Sequence, residues 1–341
     1  MKRILTVLLI IALLAGAYVS WNILGPTVKA PEGKYLYLRT GSSYEDVKKE
    51  LKDQGILSGE FFFDKLAGQM KYRDRVKPGR YEIKESMSVL SLVRMLKAGN
   101  QSPVKLVINK LRTKEDLAAR IGKGFECDSA EVMQFLSSND SLAPYKLDTN
   151  TVMTAVIPNT YLYLWNTRFT KLFSKLKEEQ EKFWTPERKQ KAAAKNLSPT
   201  QVYIMASIVE EETNMAEDKG LVASVYRNRI TGGQKLEADP TVKYAMRNFG
   251  LKRIMHSHLA YPSLYNTYQH TGLPPGPICT PSAKTIDAVL DSPDTDYMFF
   301  VAKPDLRGYS NFAKTYAEHL VFAKAYQKAL DSIIISRQAT H

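Results

Sequence analysis

The chain has 341 residues, of which 44% are hydrophobic and 24% are charged, as expected of a folded globular protein long enough for two domains. The formal net charge of +13 predicts an anionic partner or surface, but no nucleic-acid recognition motif accompanies it. Two cysteines, Cys127 and Cys279, are too few for a disulfide framework or a cysteine-based metal site, and their separation leaves open whether they pair.

The N-terminus is strongly apolar. Residues 4–24 carry few polar side chains after Lys2 and Arg3, and about 20 apolar residues span a bilayer. We predict a cytoplasmic tail at 1–3, a transmembrane helix at 4–24 and a Pro- and Gly-rich linker at 25–33. A cleaved signal peptide is the alternative, because Ala15, Gly16 and Ala17 fit a small-residue cleavage site. Both interpretations export the rest of the chain, so we expect no nucleic-acid partner.

The next segment repeats a strand followed by Ser or Thr and a short amphipathic helix. Strands are predicted at 34–39, after the turn at 77–80, and at 104–108. Helices are predicted at 43–54, 61–69, 88–99, 113–121 and 128–136, and a loop or hinge at 139–150.

The second half of the chain has mainly helical patterns. Interleaved Lys and Glu predict solvent-exposed helices at 170–183 and 185–195. Ser198 before Pro199 marks the start of a helix that runs to about residue 214, and apolar residues on nearly all of its sides predict that it is buried. A helix at 219–229 and a buried strand at 297–302 follow.

Three adjacent glutamates, Glu210, Glu211 and Glu212, end the predicted buried helix. Partial desolvation, mutual repulsion and the negative end of the helix dipole each raise a carboxyl pKa. A raised pKa suits a general acid, so the sequence predicts a catalytic carboxyl here. A solvated helix end is the alternative, and spacing alone does not choose among the three carboxylates.

Seven segments between Val152 and Ala325 resemble, in order and spacing, the catalytic domain of the endolytic murein transglycosylases, the MltG or YceG-like family. They are IPNTY at 157–161, ASIVEEET at 206–213, VASVYRNR at 222–229, LEADPTV at 236–242, YNTY at 265–268, GLPPGPI at 272–278, and NF at 311–312 followed by His319. The resemblance implies an α+β fold with an N-terminal transmembrane helix, a LysM-like small domain with a helical extension at 34–150, and a mixed α/β transglycosylase domain at 151–335. Whether the LysM-like domain binds glycan or only spaces the active site is left open.

The resemblance implies that Glu210 is the catalytic acid, because it is the first Glu of its matched segment. Three positions depart from the family pattern: Glu211 replaces a common Lys, Glu237 replaces a polar residue such as Gln, and Ser310 replaces a common His. Only the role of that His is put in doubt.

The resemblance also places the Asp-Pro-Thr loop beside the cleft. The implied substrate-binding residues are Thr213, Asp239, Tyr265, Asn266 and Tyr268. From the sequence alone, Asp239 before Pro240 fits a helix N-cap, so we expect it to orient rather than attack. The two tyrosines and the amide and hydroxyl groups between them offer the mixture that holds a sugar. No metal or cofactor is expected, because His256 and His258 lack a third ligand at a recognisable spacing.

A lytic transglycosylase needs only one carboxylate, because the C6 hydroxyl of the muramic acid closes onto C1. The resemblance therefore implies a lyase of the inner membrane, with its catalytic domain in the periplasm. It would cleave the MurNAc–GlcNAc bond within nascent peptidoglycan strands, leave 1,6-anhydro-MurNAc ends, and terminate strand elongation beside peptidoglycan synthases. The alternatives are a hydrolase that pairs Glu210 with Glu237 or Asp239, and a non-catalytic glycan-binding scaffold of the cell-wall synthesis machinery.

Overall fold

The computed structural model describes residues 2–338 and contains both helices and short strands. Contacts divide the chain into two compact units. The first comprises Met1–Leu106, Ile121–Asp128 and Leu162–Arg168, and the second comprises Val107–Arg120, Ser129–Tyr161 and Phe169–His341. The mixed α and β composition confirms the predicted fold class at this level, and the LysM-like character of the small domain stays a prediction.

Helix α1 spans Lys2–Leu24 and has a mean hydropathy of 2.3. Its 23 residues are long and apolar enough to cross a membrane, and none of them is buried within the protein. This agrees with the predicted single-pass anchor, whose orientation stays a prediction.

The first unit surrounds an antiparallel strand pair. Its elements are β1 (Tyr35–Leu38), α2 (Tyr44–Asp53), α3 (Phe61–Gln69), β2 (Gly79–Glu82) and α4 (Val89–Ala98). Ser43 and Ser88 accept backbone hydrogen bonds as the N-caps of α2 and α4, as their sequence positions predict. Gly99 ends α4 at φ +74°, a conformation that favours glycine. Leu36 and Tyr81 pair across the strands and are buried in the core of this unit.

A second strand pair consists of β3 (Val104–Ile108) and β4 (Asn159–Tyr163). Between them lie α5 (Lys114–Gly124), α6 (Ser129–Leu136) and α7 (Asn139–Leu142), with short 3₁₀ helices at Ala143–Tyr145 and Val152–Ala155. The prediction of a loop at 139–150 is therefore wrong in part. Ser138 caps α7, and Leu142 is fully buried, so one apolar side chain draws this segment into a helical turn.

The remaining elements are α8 (Phe169–Phe183), α9 (Pro186–Ala194), α10 (Pro199–Glu212), α11 (Ala216–Thr231), α12 (Asp239–Ala245), α13 (His256–Leu259), α14 (Ala283–Leu290), β5 (Phe299–Ala302), β6 (Ser310–Ala313) and α15 (Tyr316–Gln338). Among residues 2–338, strand β5 pairs with β6 in antiparallel fashion and with no other strand. All four of its residues are partly exposed, so the prediction of a buried strand is wrong. A two-stranded hairpin cannot cover both faces of a strand.

Helix α10 is the centre of the second unit. Every residue from Val202 to Val209 is buried, which confirms the helix that the apolar pattern predicts. Ser198 and Gln201 form a reciprocal capping box at its start. Helices α9, α11, α12 and α14 pack around it, and Tyr203 donates a hydrogen bond of 2.5 Å to the carbonyl of Val156. The three glutamates at its C-terminal end therefore emerge from a packed core.

Candidate active site

The carboxylate of Glu210 is held by three donors that all contact the same oxygen. Lys219 Nζ on α11 lies 2.9 Å from Glu210 Oε2. Ser282 Oγ, which caps α14, donates to Oε2 over 3.3 Å, and Thr285 Oγ1 in the first turn of α14 donates to it as well. Lys219 also donates to Thr285 Oγ1, over 2.5 Å. Within residues 2–338, Oε1 accepts no hydrogen bond, so one oxygen is fixed and the other is left free.

Glu210 faces an open groove of about 380 Å³. The groove is lined by Ile108, Asn109, Lys110, Pro158, Asn159, Thr160, Glu210, Thr280 and Ser282. Pro158, Asn159 and Thr160 come from the segment at 157–161 that carries part of the family resemblance, so two of the quoted segments meet here. The Glu210 side chain is 16% exposed, which makes it accessible to a ligand and shielded from bulk water.

The pKa of Glu210 is lowered in this environment. Partial burial raises it and is the largest single influence, but the hydrogen bonds from Thr285 and Lys219 and the positive charge of Lys219 together outweigh burial. The prediction of a raised pKa is therefore wrong for Glu210 in the free protein. The reason is the hydrogen bond from Thr285 on α14, together with the ammonium group of Lys219 on the next helix.

Glu212 has the opposite perturbation. Its Oε1 accepts a hydrogen bond of 2.6 Å from the hydroxyl of Tyr226 on α11. Loss of hydration, assisted by the nearby charge of Asp239, raises the pKa of Glu212 to about 7, against the lowering effect of the Tyr226 hydrogen bond. The expectation that one of the three carboxyls keeps its proton is thus confirmed, for Glu212.

Glu211 points in a third direction. Its carboxylate lies 3.0 Å from Lys110 Nζ and 3.1 Å from Arg112 Nη2, and only 16% of its side chain is exposed. The Arg112 guanidinium also lies over the ring of Phe249, at 5.1 Å from its centroid. Because successive residues of a helix point about 100° apart, three adjacent glutamates have three separate sets of partners.

Asp239 is not an N-cap, so that expectation is corrected. Ala238 occupies the cap position and Asp239 is the first residue of α12. Thr267 Oγ1 accepts from the backbone N–H of Ala238 over 3.0 Å, and Thr241 Oγ1 donates to its carbonyl over 2.7 Å. These buried threonines fix the chain one residue earlier than the Asp-Pro pattern suggests. The Asp239 carboxylate instead accepts a hydrogen bond of 2.7 Å from the hydroxyl of Tyr268.

Asn266 organises the loop that carries Tyr268. It is fully buried, and its amide donates to the carbonyls of Leu259 and Tyr261, at 3.0 and 2.8 Å. Its side-chain oxygen accepts from the backbone N–H of Tyr268 over 3.0 Å. The amide group is therefore occupied by the chain itself, and direct contact of Asn266 with a substrate stays a prediction.

Tyr265 and Thr213 lie in different surroundings. Tyr265 packs on Tyr244, with ring centroids 4.8 Å apart, and lines a separate cavity of about 260 Å³ that also includes Arg247. Thr213 ends α10, and its hydroxyl accepts a hydrogen bond of 3.0 Å from the backbone of Met215. The substrate-binding roles of both residues stay predictions.

Glu237 is 52% exposed and pairs with Arg229 Nη1 at 3.2 Å. Arg229 also donates to the carbonyls of Leu236 and Met298, both at 2.8 Å, so it is a buried structural link between two loops. Ser310 contacts Asp218 through its backbone N–H, at 2.7 Å. Cys127 and Cys279 are both buried.

The sequence did not indicate the residues that determine the charge of the acids. Lys219 lies only nine positions after Glu210 in the next predicted helix, which is a weak signal for an antiparallel contact. Ser282 and Thr285 lie more than 70 positions away, and their Ser-x-x-Thr spacing indicates a helix start but not its partner. Tyr226 belongs to an expected helix, and nothing local connects it to Glu212.

Comparisons with known proteins show the family and the fold of the chain. The sequence profile of the YceG-like family matches residues 36–325. A protein of Bacillus subtilis named endolytic murein transglycosylase is 27% identical over 308 residues, which cover 86% of this chain and 84% of that protein. One of the same name from Streptococcus pneumoniae is 26% identical, and the match covers 88% of this chain and 60% of that longer protein. A crystal structure of a YceG-like protein from Listeria monocytogenes has a TM-score of 0.56 at 24% identity, covering 84% of this chain and 98% of that one, which shows a shared fold.

Proposed function

Because the chain belongs to the YceG-like family, we propose that it is an endolytic lytic transglycosylase that cleaves the MurNAc–GlcNAc bond within peptidoglycan strands. The names of its relatives in Bacillus subtilis and Streptococcus pneumoniae support murein as the substrate. The observation that carries the proposal is the Glu210 carboxylate, which has one oxygen held by three donors and the other free on an open groove.

The free oxygen, Oε1, would carry the catalytic proton. In the first half of the reaction it gives this proton to the glycosidic oxygen while the C1–O bond breaks through an oxocarbenium-like transition state. In the second half, the ionised Glu210 accepts the proton of the muramic acid C6 hydroxyl as that oxygen bonds to C1. The carboxyl ends as it began, no water is consumed, and the product ends in a 1,6-anhydro sugar.

Lys219, Ser282 and Thr285 act as positioning residues in this scheme. Their bonds to Oε2 fix the plane of the carboxyl group, so Oε1 keeps one direction through both proton transfers. They also stabilise the ionised form that must act as the base. In the free protein this leaves Glu210 ionised at neutral pH, because its pKa is lowered.

A bound strand would change that balance. A strand that fills the groove removes water from the Glu210 carboxylate. This further desolvation raises the pKa of Glu210, in opposition to the hydrogen bonds and charge that lower it in the free protein. We infer that Glu210 takes up its proton when the strand binds. Substrate binding and proton uptake are then coupled, so Glu210 is protonated only when a strand is bound.

A membrane anchor would keep this chemistry near the membrane. Helix α1 would hold the enzyme at the inner membrane, with Lys2 and Arg3 on the cytoplasmic side and the catalytic unit in the periplasm. New strands emerge at that surface, so cutting there would terminate their elongation, and peptidoglycan synthases are the expected partners.

The test uses the full chain in detergent, incubated with purified uncross-linked glycan strands, and mass spectrometry of the products. The Glu210→Gln variant retains a polar group of the same size but cannot carry the proton, and Glu217→Gln changes an exposed glutamate in the first turn of α11 as a matched control. We expect internal fragments with anhydro ends from the parent chain and from the control, and none from Glu210→Gln. Reducing ends would instead show a hydrolase, and intact strands in all three samples would show a glycan-binding scaffold.

A further inference from the structure

A cavity of about 610 Å³ lies entirely within the first unit, and none of its residues belongs to the Glu210 groove. It is lined by Tyr37, Arg39, Gly41, Ser42, Asp46, Lys49, Glu50, Lys123, Gly124 and Trp165. The volume is in the range of cavities that bind small organic ligands or short peptides. Three features of its lining indicate what such a ligand must carry.

The first feature is an aromatic wall. The Trp165 ring meets the Tyr37 ring edge-on, with centroids 5.1 Å apart and planes at 67°. Trp165 is only 8% exposed, whereas Tyr37 is 40% exposed, so the buried indole supports an accessible phenol ring. The carbonyl of Trp165 accepts a hydrogen bond of 3.0 Å from the backbone of Glu126, which holds the main chain of Trp165 in place. The cavity therefore offers a rigid apolar face.

The second feature is a set of unpaired cations. Arg39, Lys49 and Lys123 line the cavity and are exposed, and none of the three forms an ion pair with any described residue. The acids of the lining are already engaged. Asp46 accepts hydrogen bonds of 2.8 Å from the backbone and the hydroxyl of Ser43 in the capping box of α2, and Glu50 accepts 2.9 Å from the side chain of Gln54. These neutral donors leave both carboxylates charged, so the lining has three cations and two acids and a formal net charge of +1.

The third feature is a rim that is fixed before any ligand arrives. Both oxygens of the Glu126 carboxylate bind Thr40, one at the backbone N–H over 2.5 Å and the other at the hydroxyl over 2.7 Å. Glu126 thereby ties the loop that carries Arg39 and Gly41 to the segment that carries Lys123. Gly41 has φ +89° and no atom within 4 Å of an added Cβ, so the backbone there stays open to a ligand.

We propose that this cavity binds an acidic peptide, with carboxylates at Arg39, Lys49 and Lys123 and an apolar part on Tyr37. A neutral sugar would use the aromatic face but would gain nothing from the net positive charge of the lining, so charge favours the peptide over the glycan. The source of the peptide rests on the proposed function, since murein strands carry stem peptides with free carboxylates. Bound there, a stem peptide would hold a strand on the enzyme at a second point.

The test is binding by isothermal titration calorimetry to the full chain in detergent, in the Glu210→Gln background so that no ligand is cut. The probes are a disaccharide stem-peptide unit with free carboxylates, the free stem peptide, the same peptide with amidated carboxylates, and chitotetraose. We expect the disaccharide stem-peptide unit and the free stem peptide to bind with similar affinity. Amidation should weaken binding at least tenfold, because it removes several charge pairs that are each weak but add together. Raising the salt concentration should weaken binding further.

Substitutions at the cavity identify the site. Arg39→Ala and Lys49→Ala should each weaken peptide binding about fivefold, and Tyr37→Ala should do the same. Arg94→Ala and Lys97→Ala are matched controls, because both side chains are exposed on α4 of the same unit and lie outside the cavity.

Equal binding of chitotetraose and the acidic peptide would overturn the proposal in favour of a glycan site. Unchanged affinity in the cavity variants, or no binding of any probe, would overturn it as well. The Glu210 experiment reads strand cleavage and this one reads peptide binding, so either proposal can fail while the other stands.

Discussion

The raised pKa of Glu212 makes the stability of the protein depend on pH in a way that one substitution removes. The unfolded chain releases this proton near the ordinary value of 4.5, and the folded chain releases it at about 7. Between those values the folded state binds more protons than the unfolded state, so stability falls as the pH rises from 4.5 to 7. Each pH unit in this interval is worth about 1.4 kcal/mol, so ionised Glu212 destabilises the fold by about 3 kcal/mol above pH 7.

Glu212→Gln should remove that loss. The amide oxygen of Gln can accept the hydrogen bond that Tyr226 now donates to Glu212 Oε1, and Gln carries no charge at any pH. We expect the variant and the parent chain to be equally stable at pH 4, where both side chains are neutral. At pH 8 the variant should be more stable by up to about 3 kcal/mol, which corresponds to a rise in melting temperature of about 6 °C for a unit of this size.

Thermal unfolding of the full chain in detergent, followed by tryptophan fluorescence at pH 4, 6 and 8, measures this difference. Glu217→Gln is the control, because Glu217 is exposed on α11 and its replacement should leave the melting temperature unchanged at each pH. A melting-temperature difference between parent and Glu212→Gln that stays the same from pH 4 to pH 8 would refute the assigned protonation of Glu212.

Three further predictions concern the charge, the core and the loop of the second unit. Lys219→Met should raise the pKa of Glu210, because fewer donors then oppose the effect of burial. The alkaline limb of the kcat/KM profile should move to higher pH, and the maximal rate should fall about tenfold. An alkaline limb that does not move would contradict the ion pair. Ile208→Ala should lower the free energy of unfolding by about 3 kcal/mol in denaturant titrations, since Ile208 is fully buried, and a loss below about 1 kcal/mol would contradict that burial. Tyr268→Phe removes the hydrogen bond to exposed Asp239, so the free energy of unfolding should change by less than about 1 kcal/mol. If the Tyr268–Asp239 pair orients the substrate, strand cleavage should slow about tenfold. An unchanged rate would show that the pair does not contact the substrate.

The helices of this fold are largely predictable because their signals are local. Ser43, Ser88 and Ser198 each precede a helix and accept its first free N–H groups, as their positions predict. Gly99 ends its helix for an equally local reason, its left-handed backbone. Burial of α10 is also predictable, since its apolar residues leave no polar side to face water.

Predictions failed where distant residues decide the local structure. Asp239 and Pro240 have the spacing of a helix cap, but Thr267, 29 positions from Ala238, holds the backbone of that alanine and moves the cap there. No pattern within the loop could reveal this. The predicted buried strand at 297–302 failed for a related reason, since an apolar run does not tell how completely elements distant in sequence will cover its faces.

The candidate site shows the same division. The run of glutamates at the end of a buried helix is visible in the sequence, and so is the expectation that one of them holds its proton. Which one does so depends on the surroundings of each: Thr285 on α14 and Lys219 on α11 lower the pKa of Glu210, whereas burial raises that of Glu212 despite the hydrogen bond from Tyr226. Repulsion among three adjacent carboxylates raises the pKa of each of them. Their pKa values differ because their surroundings, supplied by other elements of the fold, differ.

The resulting distribution of charge separates two candidate acids by experiment. Glu210 faces the groove but is ionised in the free protein. Glu212 has a pKa of about 7, but its carboxyl group accepts the hydrogen bond from Tyr226. If position decides, Glu210→Gln abolishes strand cleavage and Glu212→Gln retains it, because the groove geometry is intact and Gln can keep the hydrogen bond from Tyr226. If protonation in the free protein decides, the two variants exchange outcomes. We expect the first result, since a proton can be supplied when a strand binds, while a carboxyl two positions along a helix is rotated about 200° around the helix axis, away from the groove.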